Sequence, residues 1–237
     1  MFGLEGKVIV VTGGNRGIGA AIVEVLEDLG AKVAYNYRSQ PGEKGSLAHQ
    51  CDVTNLEEMQ AFAEKVEAEL GQIYGVVANA GITNDGLFSR LTPEKWHAVI
   101  DANLNGVYNT FNPIIPKMYE RKEGAIVMIS SIVGEHGNIG QANYAAAKAA
   151  LIGLGKTLGL EGARYNVRAN VVAPGFTATD MLKGIPDKVI DKIKATIPMR
   201  RFADSKEIAW ATAFLLSPTM SSYTTGQVLA VDGGRHT

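Results

Sequence analysis

Short runs of consecutive apolar residues alternate along this 237-residue chain with stretches whose apolar positions recur at helical spacing. The first run, KVIVVTG (7–13), is β-branched and continuous, the mark of a strand buried on both faces of a parallel sheet. IGAAIVEVLEDLG follows with helical spacing and stops at Gly30. KVAYNYR (32–38), SLAHQCDV (46–53), GVVANAG (75–81), AIVMISS (125–131), VRANVVAPG (167–175) and QVLAVDGG (227–234) read as six further strands. The spacing predicts helices over 55–71, capped by Asn55, over a tract from about Pro93 to Lys122, over 142–164 and, after a loop, over 206–217. This is the pattern of an α/β fold, a doubly wound parallel seven-stranded sheet with helices on both faces. Neither repeats nor linkers interrupt it, so residues 1–237 are expected to form a single domain.

One connection breaks the pattern. RSQPGEKG (38–45), between the second and third strands, is too short and too rich in Pro and Gly for a crossover helix. A loop is expected there, with the third strand still paired to the second at the sheet edge.

Composition narrows the function. Lys and Arg total 23 against 24 Asp and Glu, a net charge of −1 that gives no support to nucleic-acid binding. Cys51 is the only cysteine, so no intramolecular disulfide forms and a reducing compartment fits. The four histidines have no metal-ligand spacing. The N-terminal apolar run is too short for a signal peptide, and no run reaches the ~20 residues that cross a bilayer, so a cytoplasmic protein with no membrane association is expected.

TGGNRGIG (12–19) joins the first strand to the first helix. Gly13, Gly17 and Gly19 permit a sharp turn and close approach of a ligand, and the helix start aims free N–H groups at the same place. In this position the turn predicts a dinucleotide phosphate site. An NAD site places Asp or Glu at the end of the second strand, but AYNYRSQ carries Arg38 instead, and Arg16 lies in the glycine turn. Two cations and no carboxylate favour the 2′-phosphate of NADP(H).

The stretch GQANYAAAKAALIGLGKTLG (140–159) reads as a small-residue helix carrying Tyr144 and Lys148 on one face, one turn apart. An ammonium near a phenol favours the phenolate and lowers its pKa, and Lys148 would also reach the cofactor ribose. Alone, the pair is as easily a solvated helix surface. Its surroundings change that: AIVMISS ends in Ser130 and Ser131, and NAG (79–81) ends the fourth strand, both at the carboxyl edge where such sheets bind ligands. Ala142, Ala145, Ala146, Ala147, Ala149 and Ala150 would let the helix pack closely.

TGG-x-x-GIG, NAG, Asn103, Ser131, Y-x-x-x-K at 144–148, VAPGFTATDM (172–181) and VDGG (231–234) together resemble the short-chain dehydrogenase/reductase family across essentially the whole chain. The resemblance implies a single Rossmann domain, a catalytic tetrad of Asn103, Ser131, Tyr144 and Lys148, and a homotetramer. It implies contact with the cofactor from Gly13, Asn15, Arg16, Gly17, Ile18, Gly19, Arg38, Asp52, Val53, Asn79, Ala80 and Gly81, from Tyr144 and Lys148, and from Pro174, Gly175 and Thr177 near the nicotinamide. Residues 176–195 would contain a substrate lid. GNIGQANYAAAKAALIG and NVVAPGF look like the branch that reduces β-ketoacyl thioesters with NADP(H), linked either to coenzyme A or to an acyl-carrier protein; YERKEG (119–124) offers a small basic spot for either. There Tyr144 would donate the proton, Ser131 bind the carbonyl oxygen, Lys148 tune Tyr144, and Asn103 anchor a water. The alternatives are reduction of a sugar, polyol or steroid carbonyl and, with the tetrad idle, an NADP-binding regulator.

Overall fold

The computed structural model describes residues 2–179 and 186–235. All seven expected strands are present: β1 (Val8–Val11), β2 (Lys32–Tyr37), β3 (Leu47–Gln50), β4 (Ile73–Ala78), β5 (Gly124–Ile129), β6 (Val167–Pro174) and β7 (Val228–Val231). They form one sheet in the order β3-β2-β1-β4-β5-β6-β7, and every pairing is parallel. Most stop earlier than their apolar runs suggest, because the glycine-rich and Ser-rich ends turn away from the ladder. The strand order reverses between β1 and β4, and a crevice opens at the carboxyl edge there.

Both faces are covered. On one, α1 (Gly17–Asp28) and α9 (Ser205–Leu216) bury Ile22, Leu26, Ile208 and Leu216 against Ile9, Val11 and Val33. On the other, α2 (Leu56–Leu70), α4 (Gly106–Phe111) and α7 (Ala142–Ala163) bury Phe62, Phe111 and Leu151 against Val76, Ile126 and Val171. Each buried Leu, Ile or Phe side chain contributes roughly 1.5–3 kcal/mol, so the strand ends that carry the site rest on a rigid base.

The expected loop between β2 and β3 is observed, and β3 pairs with β2 from Ala34↔Leu47 to Tyr37↔Gln50. Tyr35 organises this loop: its hydroxyl donates to the Gly42 carbonyl at 3.1 Å and accepts the Gly42 N–H at 2.9 Å. The edge strand alternates between half-buried and exposed residues, unlike the fully buried central strands.

Two expectations need correction. The tract 93–122 is not one helix: α3 (Pro93–Ile100) runs into a π-turn (Asp101–Asn105), then α4, a break at Asn112–Ile114, and α5 (Ile115–Arg121). Pro113 has no N–H to continue the ladder and disfavours helix in the residue before it, so the break there follows from backbone sterics. The stretch before 206 is not all loop, because α8 (Asp187–Ala195) forms within it; of the expected lid, 180–185 lie outside the described residues. A short α6 (Val133–His136) also precedes α7. On the sheet side of α7 only Ala147 of the six alanines is fully buried. The close approach falls at glycines instead: a Cβ on Gly155 would sit 2.5 Å from a Val171 methyl.

Candidate functional site

The glycine turn is held from both neighbouring strands. Gly13 φ is +63°, a conformation that favours glycine, and its N–H donates to Asn36 Oδ1 at 3.0 Å. Asn36 is 3% exposed on β2, and its Nδ2 donates to the Cys51 carbonyl at 2.9 Å, so one amide joins the turn to the exit of β3. From β4, Asn79 Nδ2 donates to the carbonyls of Thr12 (2.9 Å) and Gly13 (3.2 Å). Thr12 Oγ1 accepts the N–H groups of Asn79 and Ala80, both at 3.0 Å. A Cβ on Gly19 would collide with the Gly13 carbonyl, so the turn closes only with glycine there. Arg16 precedes α1 in extended conformation and no side chain caps the helix, leaving its first amides directed at the crevice.

Arg16 and Arg38 are exposed, and neither guanidinium forms an ion pair among the described residues. Asn15 Nδ2 donates to the Gln40 carbonyl at 3.0 Å, fastening the short β2–β3 loop to the glycine turn. Asp52 folds onto its own turn, Oδ1 accepting from the Thr54 N–H and hydroxyl at 2.9 Å, while the carbonyl of buried Val53 accepts from Asn109. Across the crevice Pro174 ends β6, its carbonyl accepting the Ile132 N–H at 3.1 Å, and Thr177 Oγ1 donates to the Gly175 carbonyl at 3.2 Å. Ile18 lies half-buried in the first turn of α1.

The four tetrad positions converge on the same edge. Ser131 follows β5, its Oγ accepting the Val133 N–H at 3.1 Å and lying in hydrogen-bonding contact with the Tyr144 phenol. Lys148 is 4% exposed, its Nζ donating to the Ile129 carbonyl at 2.7 Å and lying 5.7 Å from the centroid of the Tyr144 ring. Burial pushes its pKa down to about 8. Ser130, buried beside Ser131, donates to the Lys148 carbonyl at 2.7 Å and ties α7 to the end of β5.

Asn103 sits in the π-turn, which rotates it off the regular helical face. It is 0% exposed; Nδ2 donates to the Ile82 carbonyl (2.9 Å) and the Val99 carbonyl (2.8 Å). Its Oδ1 is buried with no hydrogen-bond partner, an arrangement that costs roughly 1–3 kcal/mol unless a ligand or water donates to it. Oδ1 faces Gly81, where an added Cβ would strike it and would lie 3.6 Å from Lys148 Nζ.

One expectation about these groups changes. Lys148 was expected to lower the Tyr144 pKa, yet that pKa is raised, because burial of the phenol outweighs the Ser131 hydrogen bond and the Asp85 carboxylate acts in the same direction as burial. The ammonium lies against the ring and bonds the Ile129 carbonyl instead of the phenol oxygen. Asn36 and Asn143 went unnoticed in the sequence. A lone amide amid the apolar and aromatic residues of β2 was the available signal for Asn36.

A family model described as enoyl-(acyl carrier protein) reductase matches residues 13–236. The chain is 57% identical over 236 residues to an acetoacetyl-CoA reductase of Synechocystis sp., covering 99% of this chain and 98% of that protein. It is 44% identical to a 3-oxoacyl-[acyl-carrier-protein] reductase of Chlamydia muridarum and 41% identical to that of Escherichia coli, with 98% of each chain covered in both cases. A parallel sheet that reverses its order beside a glycine turn, with Ser, Tyr and Lys gathered at that edge, now has full-length relatives in one family: the chain belongs to the short-chain dehydrogenase/reductases.

Proposed function

We propose that this protein reduces the 3-oxo group of an acyl thioester to the 3-hydroxyl, with NADPH as reductant and Tyr144 as proton donor. The observation that carries the reading is the Tyr144 phenol, in contact with Ser131 and backed by the buried Lys148 ammonium, at the edge where the glycine turn also opens. The names of the full-length relatives support the thioester class.

The residues fit a nicotinamide dinucleotide. Its pyrophosphate would lie on the uncapped start of α1, where Gly19 leaves the turn compact, and its 2′-phosphate beside Arg16 and Arg38. Asp52 and Val53 would border the adenine, Asn79, Ala80 and Gly81 the centre, and Pro174, Gly175 and Thr177 the nicotinamide. The bound cofactor supplies a hydride. Ser131 Oγ donates to the substrate carbonyl oxygen, and Tyr144 Oη passes its proton to that oxygen as negative charge gathers there. Burial keeps the phenol protonated at neutral pH, which suits a donor. Lys148 Nζ keeps its proton below about pH 8 and stands ready as the next carrier. Asn103 Oδ1, buried nearby, accepts from the water that reconnects the ammonium to solvent.

The deciding experiment follows NADPH consumption with acetoacetyl-CoA, a 3-oxoacyl carrier-protein thioester, a sugar ketone and crotonyl-CoA. The 3-oxo thioesters should be consumed fastest. Consumption of crotonyl-CoA alone would reassign the protein to reduction of a carbon–carbon double bond, and inactivity towards all thioesters would reject the reading. NADPH should be used in strong preference to NADH, and Arg38→Ala should weaken NADPH roughly ten- to a hundredfold, the loss of a charge-assisted contact worth about 1.5–3 kcal/mol. Equal use of the two cofactors by the unmodified chain would remove that role from Arg16 and Arg38.

The same reading makes the protein a cytoplasmic homotetramer. Ala146, Ala149, Gly153 and Leu160 form an exposed stripe at helical spacing along α7, with Leu160 81% exposed. Tyr108 on α4 and Leu229 on the open edge strand β7 are exposed as well. Small residues at such spacing let a second helix approach closely, and an unpaired edge strand invites a symmetric contact. Light scattering should give about four times the 25.2 kDa chain mass. Ala149→Arg should reduce that mass, and a monomer at micromolar concentration would contradict the assembly. Among the described residues no helix is long and apolar enough to cross a membrane.

A further inference from the structure

We infer that Asn143, which touches none of the reacting groups, is the positioning residue that fixes the proton donor Tyr144; the inference rests on the reading of Tyr144 as that donor. Asn143 is 0% exposed, and its amide is bonded on both sides. Its Nδ2 donates to the Asn84 carbonyl at 3.1 Å and to the Lys95 carbonyl at 3.2 Å. Its Oδ1 accepts the backbone N–H of Tyr144 at 2.8 Å. Gln141, at the start of α7, provides no side-chain cap, so Asn143 satisfies a first-turn N–H from inside the helix.

What it grips gives the arrangement its meaning. Asn84 belongs to the segment that leaves β4 through Asn79–Gly81, and Lys95 belongs to α3, which leads into the π-turn carrying Asn103. Asn103 holds the same segment two residues earlier, through the Ile82 carbonyl. One stretch of backbone is thus clasped by an amide from the Asn103 side and by an amide from the Tyr144 side. Asn143 therefore sets where Tyr144 enters the crevice relative to Asn103. An apolar residue would fill the space between α3 and α7 but would leave two carbonyls and the Tyr144 N–H to find other partners. The groups facing the phenol are the Ser131 hydroxyl, the Asp85 carboxylate and the Lys148 ammonium, and all three depend on that entry point for their distance to it.

The test uses Asn143→Ala, with Asn143→Ser made alongside in case the alanine variant does not fold, each alone and combined with Tyr144→Phe. In the full-length protein turnover should fall about 10- to 100-fold while NADPH affinity changes little, since a displacement of roughly 1 Å at a catalytic group is enough for that loss. In the Tyr144→Phe background the same change should lower turnover by less than about twofold, because the group it acts through is gone. Effects that multiply in the double variant would overturn the inference while leaving the proposed function intact. A second measurement needs no substrate: with ring-labelled tyrosine, the Tyr144 resonance, assigned by its loss in Tyr144→Phe, should titrate above the ordinary phenol range. In the Asn143 variants it should move back towards that range as water reaches the ring. An unchanged titration would overturn the inference whatever the protein turns over, whereas thioester inactivity of the unmodified chain would reject only the proposed function.

Discussion

Tyr144→Phe should lower turnover of a 3-oxo thioester by about 10²–10⁴-fold and leave NADPH affinity near that of the unmodified protein, the range expected when a general acid is removed. The phenyl ring keeps the packing of the tyrosine and its place beside the Lys148 ammonium, 5.7 Å from the ring centroid. Only the oxygen in contact with Ser131 is deleted. The raised phenol pKa also sets a pH dependence. Tyr144 stays protonated throughout the neutral range, so reduction should show no limb from Tyr144 there, while the reverse oxidation, which needs the phenolate, should accelerate as pH rises. Steady-state rates in both directions, beside a cofactor titration, check both points. Near-normal turnover in Tyr144→Phe would end the proposed mechanism.

Lys148→Met should abolish most turnover and yet raise stability. The ammonium is buried with the Ile129 carbonyl as its partner, and its pKa falls from 10.5 to about 8 through burial. That fall corresponds to a penalty of about 3 kcal/mol at neutral pH. Methionine fills a similar volume without charge but leaves the Ile129 carbonyl unpaired, which costs roughly 1 kcal/mol or somewhat more. A net gain of about 1–2 kcal/mol is expected at pH 7 from these opposing terms. The sign with pH is fixed: the folded-state pKa lies below the unfolded one, so the unfolded chain binds more protons between about 8 and 10.5 and the unmodified protein becomes more stable across that window. The advantage of Lys148→Met should therefore shrink as pH rises from 8 towards 10.5. Urea unfolding at neutral pH and near pH 10 measures it. A lower midpoint for Lys148→Met at pH 7 would show that the ammonium stabilises the fold on balance and is not retained at a cost to stability.

Much of this architecture was legible because strand burial and helical periodicity are local signals. Val8–Val11 and Gly124–Ile129 are buried along their whole length, and a run of apolar residues announces that without knowledge of the neighbours. Ser131 was legible for a related reason, since it closes an apolar run and strand ends face the crevice; Tyr144 and Lys148 stood out one turn apart on a small-residue helix, and Asn103 was reached only through the family resemblance. The π-turn was not: VIDANLNG holds neither Pro nor an interior Gly, so nothing in it marks the extra residue that turns Asn103 inward. The break before α5 is marked in the sequence by Pro113. Asn36 and Asn143 escaped because their partners lie far along the chain, Asn143 reaching carbonyls 59 and 48 residues away. The direction of the Tyr144 pKa depends on how deeply the ring is covered, which spacing along a helix does not report.

The nine residues between β2 and β3 have a consequence for how the protein breathes. β3 carries ladder bonds on one side only, exposes Ala48 and Gln50, and has no crossover helix above its junction with β2. Its moorings lie mostly at the surface: the Tyr35–Gly42 pair, the Asn15–Gln40 contact, the Lys44–Glu24 ion pair, the Gln50 bond to the Arg38 carbonyl, and Glu27, which accepts from the Gly45 N–H and the Ser46 hydroxyl. Amides at this corner should therefore trade hydrogen for deuterium through local opening, well before the buried centre of the sheet lets go. Because the loop is fastened to Asn15 in the glycine turn, anything that steadies the turn makes that opening more costly. Exchange at this corner should therefore slow when the proposed cofactor occupies the crevice beside the glycine turn.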